Sequence, residues 1–407
     1  MKIIHTSDWH LGQRLLFNER GDEHLLALNW LREVILSEQA EVLIVAGDIF
    51  DNGNPPHPAR KLYYNFLTSL LHSTCRHIVI VGGNHDSPGM LDAPRELLEY
   101  LNIHVVGAAS EDLSQDCLQL KSPTGQLEAV IAAIPFLRDR DLSPSVSGET
   151  TLDRIQRIQA GIRQRFQDMG TLVEPFRQAD VPIIATGHLY AQGAQASDKQ
   201  DNIYIGNTEN LDVDTLPEVF SYVALGHIHR PQAIGGQSRV RYSGSLIPLS
   251  FSETKDEKGV YCLEFGGHAL QEVRFIPVPT FRRLKTIQGI LSEVEDKLSA
   301  FAAKDREELP SWVEVIVESP TFIPQLDSHL RTFVKDMHLE ILKIRLERQY
   351  HALDEQLDAS LESLDSLDVM DVFRKRAERD QRSDEDWAEL EGTFRELCNL
   401  VDGLKNA

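Results

Sequence analysis

Two patterns of hydrophobic and polar positions alternate over the first 280 residues of the chain. Short apolar runs rich in valine and isoleucine are typical of buried β-strands. Between them lie longer stretches, such as residues 22–39 and 58–73, in which apolar residues recur every three or four positions. This spacing gives a helix one apolar face, so both stretches are predicted to be helices that pack on a sheet. The alternation of strands and helices predicts a layered α/β domain.

Five of the apolar runs end directly in polar residues of the kind that bind metal ions. The runs are residues 3–4, 42–46, 77–81, 181–185 and 222–225. Ligands of layered α/β proteins gather beyond the carboxyl ends of the strands, so these five loops can meet at one site despite their separation in sequence. The candidate residues in the loops are Asp8, His10, Asp48, Asn84, His85, His188, His227 and His229.

The pattern changes after residue 235. Residues 235–278 have the short alternating runs of β-hairpins, which predicts a second sheet packed on the first. Pro277 and Pro279 favour an extended linker, because proline lacks the backbone donor and restricts the residue before it. Beyond the linker, residues 281–346 predict a small α+β module. Its predicted order is strand, helix (288–303), strand (312–318), helix (323–337) and strand (340–346).

The chain beyond residue 352 is predicted to be helical and acidic, with a charged loop at residues 380–386. One set of apolar residues advances by threes and fours throughout, which is typical of a narrow seam that packs on another helix. The alternative is that these helices fold back on the core of the same chain. The predicted organisation is therefore residues 1–280, 281–346 and 352–407. The seam consists of Trp387, Leu390, Phe394, Leu397, Val401 and Leu404.

Composition limits the classes of function. The chain has 407 residues, of which 42% are hydrophobic and 26% charged, enough for one large catalytic domain with smaller attachments. A formal net charge of -22 argues against binding nucleic acid through overall positive charge, so any such contact must be local or shared with a partner. The four cysteines form no C-x-x-C pair, which predicts neither a zinc cluster nor a disulfide framework and fits a reducing cytosol.

Two absences in the sequence bear on location and partners. No apolar run reaches the roughly 18 residues of a membrane span, and the first residues run directly into the Asp8 motif, where a signal peptide would remove it. We therefore expect a soluble, cytoplasmic protein. No G-x-x-x-x-G-K-[ST] sequence occurs, so any control by ATP would have to act through another protein.

The candidate residues suit a centre of two metal ions. Asp8 and His10 are two positions apart at a strand end, so both side chains can reach one ion. Asp48 follows a glycine and can use both carboxylate oxygens to bridge two ions. Two ions about 3.5–4 Å apart can clamp the attacking and leaving oxygens of a phosphoryl displacement. Oxygen and imidazole ligands without thiolates favour Mn2+, with Mg2+, zinc and iron as alternatives.

The ordered set of motifs resembles the calcineurin-like metallophosphoesterase superfamily. Its order and spacing are most similar to the SbcD family, the nuclease subunits of bacterial SbcCD complexes. The resemblance covers residues 1–280 strongly and the remainder by arrangement only. The motifs are Asp-x-His (8–10), Gly-Asp-x-x-Asp (47–51), Gly-Asn-His-Asp (83–86), Gly-His (187–188), Gly-His-x-His (226–229) and Tyr-Ser-Gly-Ser (242–245) before Ser-Phe-Ser-Glu (250–253).

The resemblance implies a fold and a role for each candidate residue. The fold would be a two-sheet sandwich flanked by helices, with a small α+β capping domain and C-terminal helices. His85 would be a histidine outside the metal shell that protonates the leaving oxygen. Asp51 could hydrogen-bond His85, which would fix the tautomer of His85 and favour its charged form. Asp86 would be structural. One ion would take Asp8, His10, Asp48 and His229, and the other Asp48, Asn84, His188 and His227.

The resemblance also implies a substrate and partners. The substrate would be double-stranded and hairpin DNA, cut by ATP-dependent 3'-5' exonuclease and hairpin endonuclease activity in DNA repair and replication, at the nucleoid. The C-terminal helices would bind an SMC-like ATPase of the SbcC type, in a heterotetramer that contains a homodimer of this chain. Candidate DNA contacts are Arg14, Arg20, Arg282, Arg283 and Lys285, and candidate dimer contacts are Leu62, Phe66, Leu70, Leu97 and Leu101.

Two other functions are open to the same motifs. One is a phosphoprotein phosphatase or cyclic-nucleotide phosphodiesterase of the same superfamily, which would have little need for two extra C-terminal modules. The other is a metallophosphoesterase scaffold that binds partners without cutting them. The complete set of ligands and the presence of His85 argue against a scaffold, which has no reason to keep a proton donor.

Overall fold

In a computed structural model of the chain, residues 1–142, 148, 150–195, 211–347 and 390–395 are described. Residues group into two compact units, Met1–Arg348 and Gln349–Ala407. Within the second unit, residues 390–395 are helical, so most of the predicted seam lies outside the described residues. None of the helices in the described ranges combines the length and apolar character needed to cross a bilayer.

The first unit contains all of the assigned strands. The helices are α1 (Gly21–Ser37), α2 (His57–Ser69), α3 (Pro88–Asp92), α4 (Arg95–Glu99), α5 (Asp139–Leu142), α6 (Thr151–Val173), α7 (Leu291–Ala302) and α8 (Leu326–Phe333), with 3-10 turns at Leu113–Asp116, Glu174–Ala179, Val213–Thr215 and Phe251–Glu253. The strands are β1 (Lys2–Thr6), β2 (Arg14–Leu15), β3 (Asn18–Glu19), β4 (Val42–Ala46), β5 (His77–Val81), β6 (Ile103–Val106), β7 (Cys117–Lys121), β8 (Leu127–Ala132), β9 (Ile183–His188), β10 (Tyr222–Gly226), β11 (Gln232–Ile234), β12 (Gln237–Tyr242), β13 (Gly259–Gly266), β14 (Ala269–Pro277), β15 (Leu284–Gly289), β16 (Ser311–Glu318) and β17 (Leu339–Glu347).

The first sheet has six strands in the order β14-β13-β1-β4-β5-β6. Strands β1, β4, β5 and β6 are parallel, and β13 and β14 add an antiparallel hairpin beside β1. The prediction that residues 235–278 form a second sheet of their own is therefore wrong for this hairpin. The hairpin instead supplies the hydrogen-bond partner that β1 would otherwise lack as an exposed edge strand.

The second sheet also has six strands, in the order β11-β12-β10-β9-β8-β7. Its four inner strands are parallel and the edge strands β7 and β11 are antiparallel to their neighbours. The five strands predicted to carry the candidate residues are thus divided between the sheets. Strands β1, β4 and β5 belong to the first sheet, and β9 and β10 belong to the second.

The two sheets pack face to face between two layers of helices. Alternate residues of each strand point to opposite faces, so Ile3 and Ile44 pack against Ile184 and Ala224 of the other sheet. The next residue, Ile4, joins the core that the first sheet forms with α1 and α2. Helix α6 covers the second sheet through its buried apolar residues. The predicted layered α/β fold is confirmed.

The module after the linker is a three-stranded parallel sheet in the order β15-β16-β17, with α7 and α8 packed on a core of its own. The predicted order of strand, helix, strand, helix and strand is confirmed. Helix α7 begins at Leu291 rather than residue 288, because β15 continues to Gly289. Leu284 and Trp312 of this module pack against Leu15, beside the first metal motif. The exact domain boundaries stay a prediction.

Candidate metal centre

The carboxyl ends of β1, β4, β5, β9 and β10 meet at one edge of the sandwich, and all seven predicted ligands gather there. Nitrogen and oxygen atoms of Asp8, His10 and His229 lie within 4.8 Å of one another, as do those of Asp48, His188 and His227. The Asn84 side chain lies against the second group, since its Oδ1 is 3.0 Å from Nε2 of His188. The structure therefore forms two adjacent clusters of ligand atoms.

Four of these residues adopt left-handed backbone conformations, which are unfavourable for residues other than glycine. The φ angles are 52° at Asp8, 47° at His10, 52° at Asp48 and 100° at His227. Such conformations cost on the order of 1–3 kcal/mol each and persist only where the surroundings hold them. Backbone hydrogen bonds hold the first pair, because Asp8 N donates to Gly47 O at 2.9 Å and His10 N donates to Asp48 O at 3.0 Å.

Asp48 is at the centre of the cluster and is 1% exposed. Its Oδ2 is 3.2 Å from Nε2 of His188 and 3.5 Å from Nε2 of His10, and its Oδ1 accepts a hydrogen bond of 2.9 Å from the backbone of His85. Burial opposes ionisation, but the neighbouring imidazoles of His188 and His10 hold the pKa of Asp48 well below its ordinary value. Its Oδ2 thus faces an imidazole of each cluster, the position expected of an oxygen that bridges two ions.

His188 is fully buried and its tautomer is set by a backbone carbonyl. Its Nδ1 donates to Ala46 O at 2.8 Å. In the neutral ring, Nε2 therefore carries a lone pair, and this nitrogen faces oxygens of Asp48 and Asn84. Burial lowers the pKa of His188, but the carboxylates of Asp48 and Asp8 outweigh burial and raise it to about 9. Lone pairs that converge in this way repel one another unless a proton or a cation lies between them, so the cluster suits a divalent cation.

His227 and Asn84 complete this side of the centre. Oδ1 of Asn84 is 3.0 Å from Nδ1 of His227, and the backbone of His227 donates to Asp8 at 3.0 and 3.2 Å. Burial and the neighbouring charge of His188 lower the pKa of His227 to about 3, so its ring is neutral, the form in which histidine binds metals.

His10 and Asp51 form the other side. Nδ1 of His10 lies 3.3 Å from Oδ1 of Asp51. Burial lowers the pKa of His10, but Asp51, Asp48 and Asp8 together raise it to about 9. The Asp51 carboxylate thus faces His10, because that imidazole is buried among carboxylates and attracts it.

His85 is exposed, and its Nδ1 donates to the backbone oxygen of Asp51 at 2.8 Å. The predicted hydrogen bond between Asp51 and His85 is therefore present, but Asp51 makes it with its backbone carbonyl and not with its carboxylate. His85 also lies within 4.8 Å of His10 and Asp48 when ligand atoms are compared. Its role as a proton donor stays a prediction.

Asp86 fastens two of the loops together. Its carboxylate accepts hydrogen bonds from the backbone of Gly83 (2.8 Å), Phe50 (2.9 Å) and Ile49 (3.1 Å). Burial and the charge of Asp48 raise the pKa of Asp86 to about 6. Its carboxylate is thus used to hold the Asp48 loop against the His85 loop, in agreement with the structural role predicted for it.

Sequence reasoning did not assign roles to three further residues at the centre. The Ser7 hydroxyl donates to the Asp8 carboxylate and is 2.8 Å from the hydroxyl of Ser243. Glu253 lies 3.0 Å from Nδ1 of His229 and 2.7 Å from Nζ of Lys258. In the sequence, Ser243 and Glu253 stand in motifs of the resemblance, and Ser7 and Ser243 directly follow strands β1 and β12.

The centre opens into a cavity of about 200 Å3. His85 and His229 lie on its wall together with Gln13 and Ser250. An exposed imidazole beside buried ligands can reach a molecule that enters this cavity, so the arrangement suits proton transfer to a bound substrate.

Two of the five predicted DNA contacts are buried and do not face solvent. Arg20 is 1% exposed and donates to both carboxylate oxygens of Glu23, at 2.7 and 3.0 Å. Arg282 is 8% exposed, its Nε lies 3.6 Å from Glu23, and its guanidinium stacks 4.0 Å over the ring of Trp312. The prediction that these two arginines contact DNA is contradicted by their burial, because they share Glu23 where the capping module meets the large domain.

The other three cations remain accessible. Arg14 is exposed and pairs with Glu19 at 2.7 Å, Lys285 is exposed, and Arg283 is half-buried with its guanidinium 4.1 Å over Phe301. Their contact with DNA stays a prediction.

The predicted dimer contacts divide in the same way. Phe66 and Leu70 are 5% and 1% exposed and belong to the core between α2 and the first sheet, so their prediction as interface residues is wrong. Leu97, Tyr100 and Leu101, in and just after α4, are 69%, 88% and 39% exposed. An apolar patch is therefore present at α4, and Leu62 of α2 is half-buried, so its contact with a second copy stays a prediction.

Comparisons with known proteins agree with the geometry. The family model for calcineurin-like phosphoesterases matches residues 1–231, and the model described as the type 5 capsule protein repressor C-terminal domain, SbcD_C, matches residues 280–381. The chain is 36% identical over 350 residues to the SbcD subunit of the SbcCD nuclease of Escherichia coli, covering 86% of each. It is 37% identical over 293 residues to the corresponding SbcCD nuclease subunit of Rhodobacter capsulatus, covering 69% of each.

A solved dimetal phosphatase from Danio rerio also matches, with 13% identity and a TM-score of 0.41, over 69% of this chain and 99% of that one. That likeness is too low to inform function.

Proposed function

Since this chain belongs to the SbcD family of calcineurin-like metallophosphoesterases, we propose that it is a metal-dependent nuclease that hydrolyses DNA as a subunit of an SbcCD-type complex. The observation that carries the proposal is the pair of ligand clusters on either side of Asp48. Each cluster mixes carboxylate and imidazole donors, the set expected of a centre that binds divalent cations.

We assign the seven ligands in two sets that share Asp48. Asp8, His10 and His229 form one set, supported by their mutual distances below 4.8 Å. The other set is His188, His227 and Asn84, supported by the two 3.0 Å contacts of the Asn84 side-chain oxygen. We favour Mn2+ as the ion, because the donors include four imidazoles and Mg2+ prefers an almost purely oxygen shell.

The chain's own residues bind, orient and protonate the substrate in this proposal. When bound, a pair of divalent cations would neutralise phosphate charge and lower the pKa of the attacking water. His85 lies exposed on the cavity wall, and its Nδ1 donates to the carbonyl of Asp51, so Nε2 is the nitrogen that would donate a proton to the leaving oxygen. Asp51 acts on His85 as a positioning residue through its backbone.

DNA specificity would come from surfaces outside the centre. The capping module joins the large domain through Leu284 and Trp312, which pack on Leu15 five residues after His10. Arg14 stands on the exposed side of the same segment, and Lys285 is exposed on β15. These cations are available to contact phosphates flanking the scissile bond, which would offset a net charge of -22 locally.

We further propose ATP-dependent 3'-5' exonuclease and hairpin endonuclease activity in DNA repair and replication, with ATP bound by an SbcC-type partner. The chain itself lacks the G-x-x-x-x-G-K-[ST] sequence, which supports a separate ATPase. The apolar seam from residue 387 to 404 is the proposed docking segment. A homodimer through the exposed residues of α4 completes the proposed heterotetramer.

The nuclease proposal is tested on the full-length chain with Mn2+. The expected result is hydrolysis of duplex DNA and of bis-nitrophenyl phosphate, with no release of phosphate from a phosphopeptide. His85→Leu should lose DNA hydrolysis by about 100-fold or more while retaining Mn2+ binding, whereas His57→Leu, at an exposed position, should match the wild type. Activity on the phosphopeptide alone would support a phosphatase, and no hydrolysis of any substrate would support a scaffold.

The partner proposal has its own test. Replacing two seam residues, Leu397→Asp and Val401→Asp, should abolish binding of an SbcC-type ATPase in a pull-down. Hydrolysis of bis-nitrophenyl phosphate should be unchanged, because the seam lies outside the catalytic domain in sequence. Asn399→Asp is the control and should bind as the wild type does. Retained tight binding by the double variant would contradict the placement of the partner on this seam.

A further inference from the structure

His229 is oriented by a carboxylate that neither follows a strand nor belongs to the predicted ligands. Nδ1 of His229 lies 3.0 Å from Oε1 of Glu253. Glu253 is 2% exposed, whereas the exposed fraction of the His229 side chain is 15%, on the cavity side. A buried carboxylate thus stands behind the imidazole while the other face of the ring meets the cavity.

The second oxygen of Glu253 is held in place by two donors. Oε2 accepts from Nζ of Lys258 at 2.7 Å and from the backbone of Leu249 at 3.1 Å. The same Nζ donates to the backbone oxygen of His229 at 2.7 Å. Lys258 is 5% exposed, so its charge is buried and balanced by Glu253. One buried lysine therefore fastens both the carboxylate and the main chain of the histidine that the carboxylate orients.

The turn that carries Glu253 is itself fixed by packing. Glu253 ends the 3-10 turn Phe251–Glu253. Phe251 packs with Leu15, Leu284 and Trp312, the cluster where the capping module meets the large domain. The position of Glu253 therefore depends on that contact as well as on its hydrogen bonds.

We propose that Glu253 is a positioning residue for His229 in the metal centre, with Lys258 holding the carboxylate in place. Glu253 accepts a hydrogen bond from the N–H of Nδ1, so that Nε2 carries the lone pair of the neutral ring and would bind the ion. A carboxylate behind a ligand histidine fixes the tautomer and ring orientation and makes the metal-binding nitrogen more basic. The inference rests on the proposed function, because it requires His229 to be a ligand.

The alternative is that Glu253 and Lys258 form a buried ion pair that only stabilises the loop. The two roles differ in their effect on the affinity for metal ions. A fastening pair affects the free energy of unfolding and leaves ion affinity unchanged in the molecules that remain folded. A positioning residue affects the affinity of the ion that His229 holds, and it affects the other ion little.

The test is a calorimetric Mn2+ titration of the full-length chain without substrate. The wild type should bind two ions. Glu253→Gln, which keeps size but removes the charge, should weaken one of the two by about 10- to 100-fold and leave the other close to the wild type. Glu253→Asp keeps a carboxylate on a shorter side chain and should fall between them. Glu257→Gln is the matched control, because it removes the same charge at an exposed position four residues away, and it should titrate like the wild type.

A second measurement remains informative if Glu253→Gln folds poorly. Histidine 15N NMR of the metal-free wild type and of Glu253→Asp reports which ring nitrogen of His229 carries the proton. The proton should be on Nδ1 in the wild type, and Glu253→Asp should shift part of the population to Nε2.

The outcomes separate this inference from the proposed function. A wild type that binds two ions, with both affinities unchanged in Glu253→Gln, overturns the positioning role alone. Equal weakening of both ions also overturns it. A wild type that binds no divalent cation overturns the metal centre and the positioning role together.

Discussion

Nε2 of His188, at the end of the second sheet's β9, lies 3.2 Å from Oδ2 of Asp48, which follows β4 of the first sheet. Because Nδ1 of His188 donates to Ala46 O, the neutral ring directs a lone pair at the carboxylate. The contact joins the two sheets at the edge where all five candidate loops meet, and a divalent cation would take the place of the proton that the carboxylates otherwise hold on this ring.

Mn2+ should therefore stabilise the folded chain. At about 100 times its dissociation constant, each bound ion adds about 2.7 kcal/mol to the free energy of unfolding, and a chelator should remove this gain. In His188→Ala the gain should fall by about half, since one of two sites is lost. Thermal or chemical unfolding with and without Mn2+ measures the effect. A gain in His188→Ala equal to that of the wild type would show that His188 is not a ligand.

Gly83 should tolerate no side chain. A Cβ at this position would lie 2.1 Å from Oδ1 and 2.3 Å from N of Asp48, so the backbone of a central residue would have to move. Displacements of about 1 Å at a reacting centre cost about 100-fold in rate, and we expect Gly83→Ala to lose hydrolysis of bis-nitrophenyl phosphate by about that factor.

The control for Gly83→Ala is Gly53→Ala. Gly53 is also close to the centre, but its Cβ would meet the Cβ of Ser87 only at 3.6 Å, an ordinary contact. It should keep near wild-type activity. Equal losses in the two variants would mean that the chain is sensitive to any added methyl group in these loops and not to the position of Asp48.

The chain should lose stability in mild acid, in part through His5. Burial, together with the charge of Arg241, lowers the pKa of His5 to about 3, against about 6.5 in the unfolded chain. Between these values the unfolded chain binds a proton that the folded chain does not, so the free energy of unfolding falls as the pH falls below about 6.5. The contribution is fully present above that pH.

Chemical unfolding of the metal-free chain from pH 7.5 to 5 measures this slope. His5→Gln removes the group, so its free energy of unfolding should depend less steeply on pH, even if its absolute value is lower because the contact of 3.0 Å with Tyr222 changes. His57→Gln, at an exposed position, should keep the wild-type slope. A wild-type slope in His5→Gln would contradict the neutral state of buried His5.

The exposed apolar residues of α4 should mediate self-association. Leu97→Glu places a charge on a side chain that is 69% exposed, and we expect it to raise the dimer dissociation constant at least about tenfold without affecting folding. Leu152→Glu on α6, where the leucine is 62% exposed, is the matched control and should dimerise normally. Sedimentation at micromolar concentration measures both, and a monomeric wild type would contradict the homodimer.

The local sequence predicted the parts of the fold that depend on short-range pattern. Runs such as residues 42–46 and 77–81 have the apolar continuity of strands buried on both faces, and the structure has strands there. The ligand-type residues directly after these runs had to lie at one edge, because parallel strands end on the same side of a sheet. Asp48 and His188 follow strands of different sheets, so their contact depends in addition on how the two sheets pack against each other.

The contacts of charged side chains, which can lie either in solvent or in buried ion pairs, were decided only by the tertiary structure. The sequence does not distinguish an arginine that faces DNA from one that faces a buried glutamate. In the structure, both Arg20 and Arg282 face the buried Glu23. The turn of the Asp51 side chain toward His10 and the placement of Glu253 behind His229 depend on which loops pack together. The physical reason is that periodicity fixes which face of an element is buried, whereas the partner of a polar side chain is set by distances between segments far apart in the chain.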